Sequence, residues 1–171
     1  MNILTFRILS PENPKFIRDI DIPDEKRFYD LHMGIQAACN YDYSQMTSFY
    51  LSNQNWEKLR EISMMPMEEQ NTEEAPLNMK YTLIKDKLQK KGQRLLYLFD
   101  FFSVRMMFIE LVNIRKMGPE EARLNYPRVI LSEEEAPQQL MVDDFDADID
   151  LDDPDDYDEP ESFENIDDLD I

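Results

Sequence analysis

The residues best suited to nucleophilic or metal chemistry are few, since the chain has one histidine and one cysteine among its 171 residues. They are His32 and Cys39. A thiolate–imidazole pair needs hydrogen-bond reach, roughly 3 Å, whereas seven residues of helix separate the two by about 10 Å of rise. Within one helix they do not meet. His32 then reads as a helix residue bonded to backbone or a neighbouring strand, and Cys39 as a small core residue. One Cys makes no disulfide scaffold, and one imidazole makes no His-based metal site. Gly34, Gly92 and Gly118 stand alone, so no phosphate-cradling loop is written here. Asp100 is the remaining candidate, inside the apolar run Tyr97-Leu-Phe-Asp-Phe-Phe102. A buried carboxylate needs a partner or it protonates. Asp100 is either a pocket acid facing His32 or Arg128, or a strand-end residue that is solvated or accepts backbone N–H groups. His32, Gln36, Asp100 and Arg128 form the candidate pocket. No catalytic constellation, metal or cofactor is implied.

Charge divides the chain. Of 37 acidic residues, 16 fall between Asp143 and Ile171, where there is no Lys or Arg. Residues 1–142 therefore hold 21 acids against all 18 bases, a net of −3, and the tail holds −16. From Asp143 to Asp156 acids alternate with apolar residues, so a strand would carry like charges along one face. Such a segment is expected to be disordered when alone. Asp144-x-Asp146-x-Asp148 copies the first ligands of a calcium loop. The glycine needed at position 6 and the glutamate at position 12 are replaced by Ile149 and Asp155. The apolar insertions Phe145, Ile149, Tyr157 and Phe163 are candidate contacts, because a segment that folds on a basic, apolar partner surface has a use for them. A solubilising brush is the alternative. Residues 80–94 carry the opposite charge, with Lys80, Lys85, Lys87, Lys90, Lys91 and Arg94 against Asp86. That cluster reads as a solvated face or as a phosphate-contacting patch, onto which the tail folds back.

The elements that position these residues follow from periodicity. Asn2–Leu9 and Lys15–Ile22 read as a hairpin around Ser10-Pro11-Glu12-Asn13-Pro14, with Phe16, Arg18 and Ile20 on one face. Phe28, Leu31, His32, Ile35, Ala38 and Cys39 recur at helical spacing, which predicts an amphipathic helix from about Asp24 to Asn40 with Asp24 as N-cap. Met46–Ser52 returns to strand character, with a shorter strand near Arg60–Met64. Pro66–Pro76 reads as a surface loop. Thr82–Lys91 reads as a short helix closed by Gly92. Arg94–Phe102 and Arg105–Ile114 read as central strands, with Arg94, Arg105 and Glu110 as rim ion pairs worth under ~1 kcal/mol each. Tyr126–Leu131 reads as an edge strand. The expected fold class is α+β: a mostly antiparallel sheet of five to six strands with two or more helices packed on it, in the order β-β-α-β-(β)-α-β-β. The expected domains are residues 1–137 and an acidic tail, 138–171.

The segment Tyr29-Asp-Leu-His-Met-Gly-Ile-Gln-Ala-Ala-Cys-Asn-Tyr-Asp-Tyr-Ser-Gln-Met-Thr-Ser-Phe-Tyr50 resembles the plasmid pRiA4b ORF-three-like family, also described as insertion-element passenger TnpR-like proteins. Gly92-Gln-Arg-Leu-Leu-Tyr-Leu-Phe-Asp-Phe101 is similar to that family's Gly-x-x-x-x-Tyr-x-Tyr-Asp-Phe strand, and Tyr126-Pro127-Arg128 to its Tyr-Pro-Arg segment. The resemblance covers residues 1–137 and implies a compact α+β domain. Three places depart from the pattern. Gln45 stands where the family has a His before the third strand. Phe102-Ser103-Val104-Arg105-Met106 replaces Gly-Asp-x-Trp, and Glu134-Glu135-Ala136-Pro137-Gln138-Gln139 replaces the Pro-Pro-Glu-Asp-x-Gly-Gly close.

Functionally, the expectation is a cytoplasmic, non-enzymatic protein-interaction module with an acidic docking tail. No secretory signal is legible. Asp100, Arg105 and Glu110 interrupt the most apolar stretch, so no membrane association is expected. The alternative is a nucleic-acid-associated or mobile-element accessory protein whose basic patch is masked by its own tail. A body charge of −3 disfavours it. A hydrolase or metalloenzyme is the weakest reading, for want of an assembled site.

Overall fold

The computed structural model of the chain describes residues 1–64 and 75–141. Among them run β1 (Asn2–Ser10), β2 (Asn13–Pro23), α1 (Phe28–Cys39), β3 (Ser48–Ser52), β4 (Lys58–Ser63), β5 (Leu77–Asn78), β6 (Arg94–Asp100), β7 (Arg105–Lys116) and β8 (Arg128–Glu133), with single 3-10 turns at Ile84–Asp86 and Glu121–Arg123. The eight strands form one sheet in the order β5-β4-β3-β6-β7-β1-β2-β8. Every pairing is antiparallel except β4 with β5, which is parallel.

This corrects the expected five to six strands carrying two or more helices. β8, read as an edge strand, joins the sheet beside β2, and β5 adds a further strand, two residues long and beyond the acidic segment, where no alternation could accumulate. The expected helix over Thr82–Lys91 is one 3-10 turn. Ile84 N–H donates to Lys26 O and Lys85 N–H to Asp24 O, tying the start of the segment to the approach to α1, while the amides of Asp86, Lys87 and Leu88 close one turn onto Leu83 and Ile84. The same ties move the start of α1. Phe28 N–H donates to Thr82 O, so the helix begins at Phe28 with Arg27 as N-cap. Asp24, the expected cap, accepts Asn2 N–H at 3.2 Å instead.

One face of the sheet builds the core. Leu4, Phe6 and Ile8 of β1, Phe16, Ile20 and Ile22 of β2, Leu95, Tyr97 and Phe99 of β6, and Met107, Ile109 and Leu111 of β7 are buried against Phe28, Leu31 and Ile35 of α1. The alternation of strand side chains puts them on one side. Gly34 allows a closer approach than any other residue would. A Cβ there would sit 2.7 Å from Pro127 Cβ and Cγ.

The other face carries a row of alternating charge. Asp19 pairs in register with Arg7, Arg7 with Glu110 and Glu110 with Arg94, across β2, β1, β7 and β6. Arg7 grips Asp19 through Nε and Nη2 at 3.0 and 2.9 Å, and Arg94 Nε reaches Glu110 Oε1 at 3.1 Å. Opposite charges directly across a ladder support pairing and register.

Candidate functional site

The residues singled out above separate into three places. His32 and Gln36 lie one turn apart on α1, so their side chains share a face. Both reach Tyr97 of β6. Tyr97 Oη and His32 Nδ1 share a hydrogen bond at 2.7 Å, and Gln36 Nε2 donates to Tyr97 Oη at 2.7 Å. Thr47, just before β3, places its hydroxyl 3.1 Å from the same Nδ1. All four side chains are buried. Burial lowers the His32 imidazole to about 4, so it is neutral at pH 7, and burial raises the Tyr97 phenol above its ordinary range. Gln36 Oε1 is buried with no partner. Tyr97 Oη and the Thr47 hydroxyl both face His32 Nδ1, and the group ties helix to sheet. Tyr97 and Thr47 were the members missed in the sequence; for Tyr97 a signal was present. Its signal was a hydroxyl at the centre of an otherwise apolar strand.

Asp100 is not part of that group. Its Oδ1 accepts the N–H groups of Phe102 and Ser103 at 3.1 and 3.3 Å, and its Oδ2 meets Arg105 Nη1 at 3.2 Å. Asp100 therefore shapes the β6–β7 turn, an Asx-type role. Arg105 also forks onto Glu12, Nε to Oε2 at 2.9 Å and Nη2 to Oε1 at 2.7 Å. Arg128 is exposed on β8, in register with Asp21. Cys39 lies in the last turn of α1, where burial pushes its thiol up to about 12, far from a reactive thiolate.

The basic residues are dispersed. Lys80 lies over the Tyr29 ring at 5.2 Å, and Lys85 pairs with Glu25 at 3.7 Å. Lys87 is half-buried, while Lys90 and Lys91 are exposed. Arg94 belongs to the charged face, stacked on Trp56 at 4.4 Å and bonded to Glu110. Phe145, Ile149, Tyr157 and Phe163 lie outside the described residues.

A third place gathers large apolar side chains. Ser44, Gln45, Met46, Phe101 and Phe102 line a cavity of about 410 Å³. Phe102 is 92% exposed, and Tyr43, Met46, Phe101 and Val104 are exposed around it. The compact unit Met1–Gln139 ends beside them. Gln139 clasps Asp42, accepting its N–H and donating to its carbonyl, both at 2.8 Å. Arg105 Nη1 lies 3.4 Å from Gln139 O. Gln45 and Phe102 line this cavity together, and Gln139 is tied to the chain just before it, at Asp42.

The described residues hold no group of three or more His, Cys, Asp or Glu placed to bind a metal ion. None of their helices is long and apolar enough to cross a membrane.

Comparison with known proteins settles the lineage. The family model described as plasmid pRiA4b ORF-3-like protein matches residues 2–146. The chain belongs to this family. Among solved structures, this pRiA4b ORF-3-like protein is similar to one titled as a protein of unknown function, MM3350, from Methanosarcina mazei Go1. The TM-score is 0.61 at 19% identity, over 77% of this chain and 68% of that one. That likeness shows the fold. No curated protein matches the pRiA4b ORF-3-like chain.

Proposed function

We propose that this family member is a cytoplasmic, non-enzymatic protein-interaction module that binds through the Tyr43–Met46 and Phe101–Val104 end of its sheet, with an acidic docking tail. The observation that carries this reading is the exposure of Tyr43, Met46, Phe101, Phe102 and Val104 beside one cavity. Exposed aromatic and methionine side chains grouped on adjoining turns are the composition of an interface centre.

The partner is a protein whose surface combines basic and apolar side chains. The last residues of the compact unit are fastened to Asp42 beside this patch, and the sequence that follows alternates Asp with Phe, Ala, Ile and Leu. A single buried thiol, Cys39, and eleven methionines fit a reducing compartment.

The test is recovery of a bound protein by the full chain, by Phe102→Asp and by a chain whose tail Asp and Glu are changed to Asn and Gln. Loss of one and the same protein in both variants supports the reading. Recovery that is indifferent to both changes, or that disappears on nuclease treatment, refutes it.

A further inference from the structure

Arg18 of β2 carries a charge that no described carboxylate answers. It lies on the apolar face with Phe16 and Ile20, its guanidinium 4.6 Å over the Phe16 ring, and only 6% of it is exposed. Arg7, Arg94, Arg105 and Arg115 each hold at least one carboxylate. Arg18 holds carbonyls instead. Nε donates to Ala38 O at 3.1 Å, and Nη1 donates to Ile17 O at 3.0 Å and Glu133 O at 2.8 Å. The first bond explains part of its presence. α1 has no basic residue in its last turn, and Arg18 supplies a cation to one of the carbonyls left open there. Three of five guanidinium N–H groups are thereby used. Nη2, with two N–H groups, has no acceptor among the described residues.

Arg18 forms one wall of a cavity of about 340 Å³, open on one side, with Cys39, Asn40, Tyr41, Glu135 and Gln138 among its lining. That size is at the lower end of small-molecule pockets. The Asn40 side-chain amide makes no hydrogen bond within the described fold, and the Cys39 thiol is held protonated by burial. Glu135 is exposed and makes no ion pair with Arg18. A buried guanidinium beside a cavity, with donors free, calls for an anion. The carbonyls of Ala38, Ile17 and Glu133 around the same group favour a singly charged head over a doubly charged phosphate.

We infer that the cavity is a binding site for a small free organic carboxylate, which accepts from Arg18 Nη2 and reaches the Asn40 amide. The cavity shares Gln139 with the apolar end described above, and the inference does not rest on the partner reading.

The test uses full-length, isotope-labelled protein titrated with succinate at constant ionic strength, with uncharged succinamide as control. The readouts are the Arg18 side-chain Nε–H and the amides of Cys39, Asn40 and Gln138. A second full-length protein has every Asp and Glu of residues 143–171 changed to Asn and Gln. The expected result is saturable, succinate-specific shifts at those residues in both proteins. Binding should weaken about tenfold or more in Arg18→Lys, which keeps the charge and loses the fork. Asn40→Asp covers the case in which Arg18→Lys does not fold. Asp tolerates the left-handed backbone at that position, where φ is 60°, and its fixed charge should weaken succinate by a similar factor. The inference is overturned if succinate moves none of these signals in either protein. It is equally overturned if neutralising the tail moves them while succinate does not, or if the folded variants bind unchanged.

Discussion

His32 makes stability depend on pH in a way that one residue dominates. Its folded value of about 4 lies below the 6.5 of an unfolded chain, so between those values the unfolded state binds the extra proton. Stability from this source is complete above about pH 6.5 and falls as pH drops, by about 1.4 kcal/mol per unit at most. Working the two titrations together gives a loss of about 2 kcal/mol between pH 8 and pH 5, approaching about 3 kcal/mol near pH 4. The physical cause is desolvation: protonation leaves a cation buried between α1 and the sheet. The assay is equilibrium urea unfolding from pH 8 to pH 5 at constant ionic strength, in wild type and in His32→Asn. Asn retains an acceptor near the Nδ1 position and does not titrate. Wild type should lose about 2 kcal/mol while the variant stays nearly flat. As the chain has one histidine, its imidazole C–H resonance reports the same event without ambiguity. Equal slopes in the two proteins, or a native imidazole titrating near 6.5, would refute the reasoning.

Three further outcomes follow from the core. Tyr97→Phe removes both bonds at Oη, leaving Gln36 Nε2 without its partner and His32 Nδ1 with Thr47 alone, so urea unfolding should register a loss of about 2–4 kcal/mol. Gln36→Leu removes the orphan Oε1 along with its bond and should stay within about 1 kcal/mol of wild type in the same measurement. Gly34→Ala, on helix propensity alone, would stabilise by about 1 kcal/mol. The 2.7 Å approach of Pro127 reverses the sign, and thermal unfolding should show a loss of about 1–3 kcal/mol.

Strand and helix periodicity placed β1, β2, α1, β3, β6 and β7 close to where they lie, since each has enough residues for alternation or a 3.6-residue repeat to accumulate. The failures have a common origin. Leu83, Ile84 and Leu88 suggested a helix because their spacing suits one, yet it stops at a single turn whose first amides, of Ile84 and Lys85, go to the Lys26 and Asp24 carbonyls, bonds between residues about sixty positions apart. Asp24 lost its capping role to the same long-range pairing. At the site, His32 and Gln36 were legible as neighbours on one helix face. Tyr97 and Thr47 became their partners only through sheet order, with β6 laid beside β3. Asp100 drew attention as a lone carboxylate in an apolar strand, and its answer was local, in the amides two and three residues on. Arg18 was visible as a charge on an apolar face. The carbonyls at the end of α1 and the cavity beside them could not be read from its neighbours.

Binding of a protein by the apolar end of the sheet is best measured with one recovered partner against graded changes at Phe102. The prediction is that Phe102→Leu retains most binding and Phe102→Asp weakens it about a hundredfold, as for a buried aromatic anchor. Tyr97→Phe, whose defect lies in the core, should leave affinity unchanged at temperatures where it is folded. Equal affinity for the Leu and Asp forms would contradict the claim.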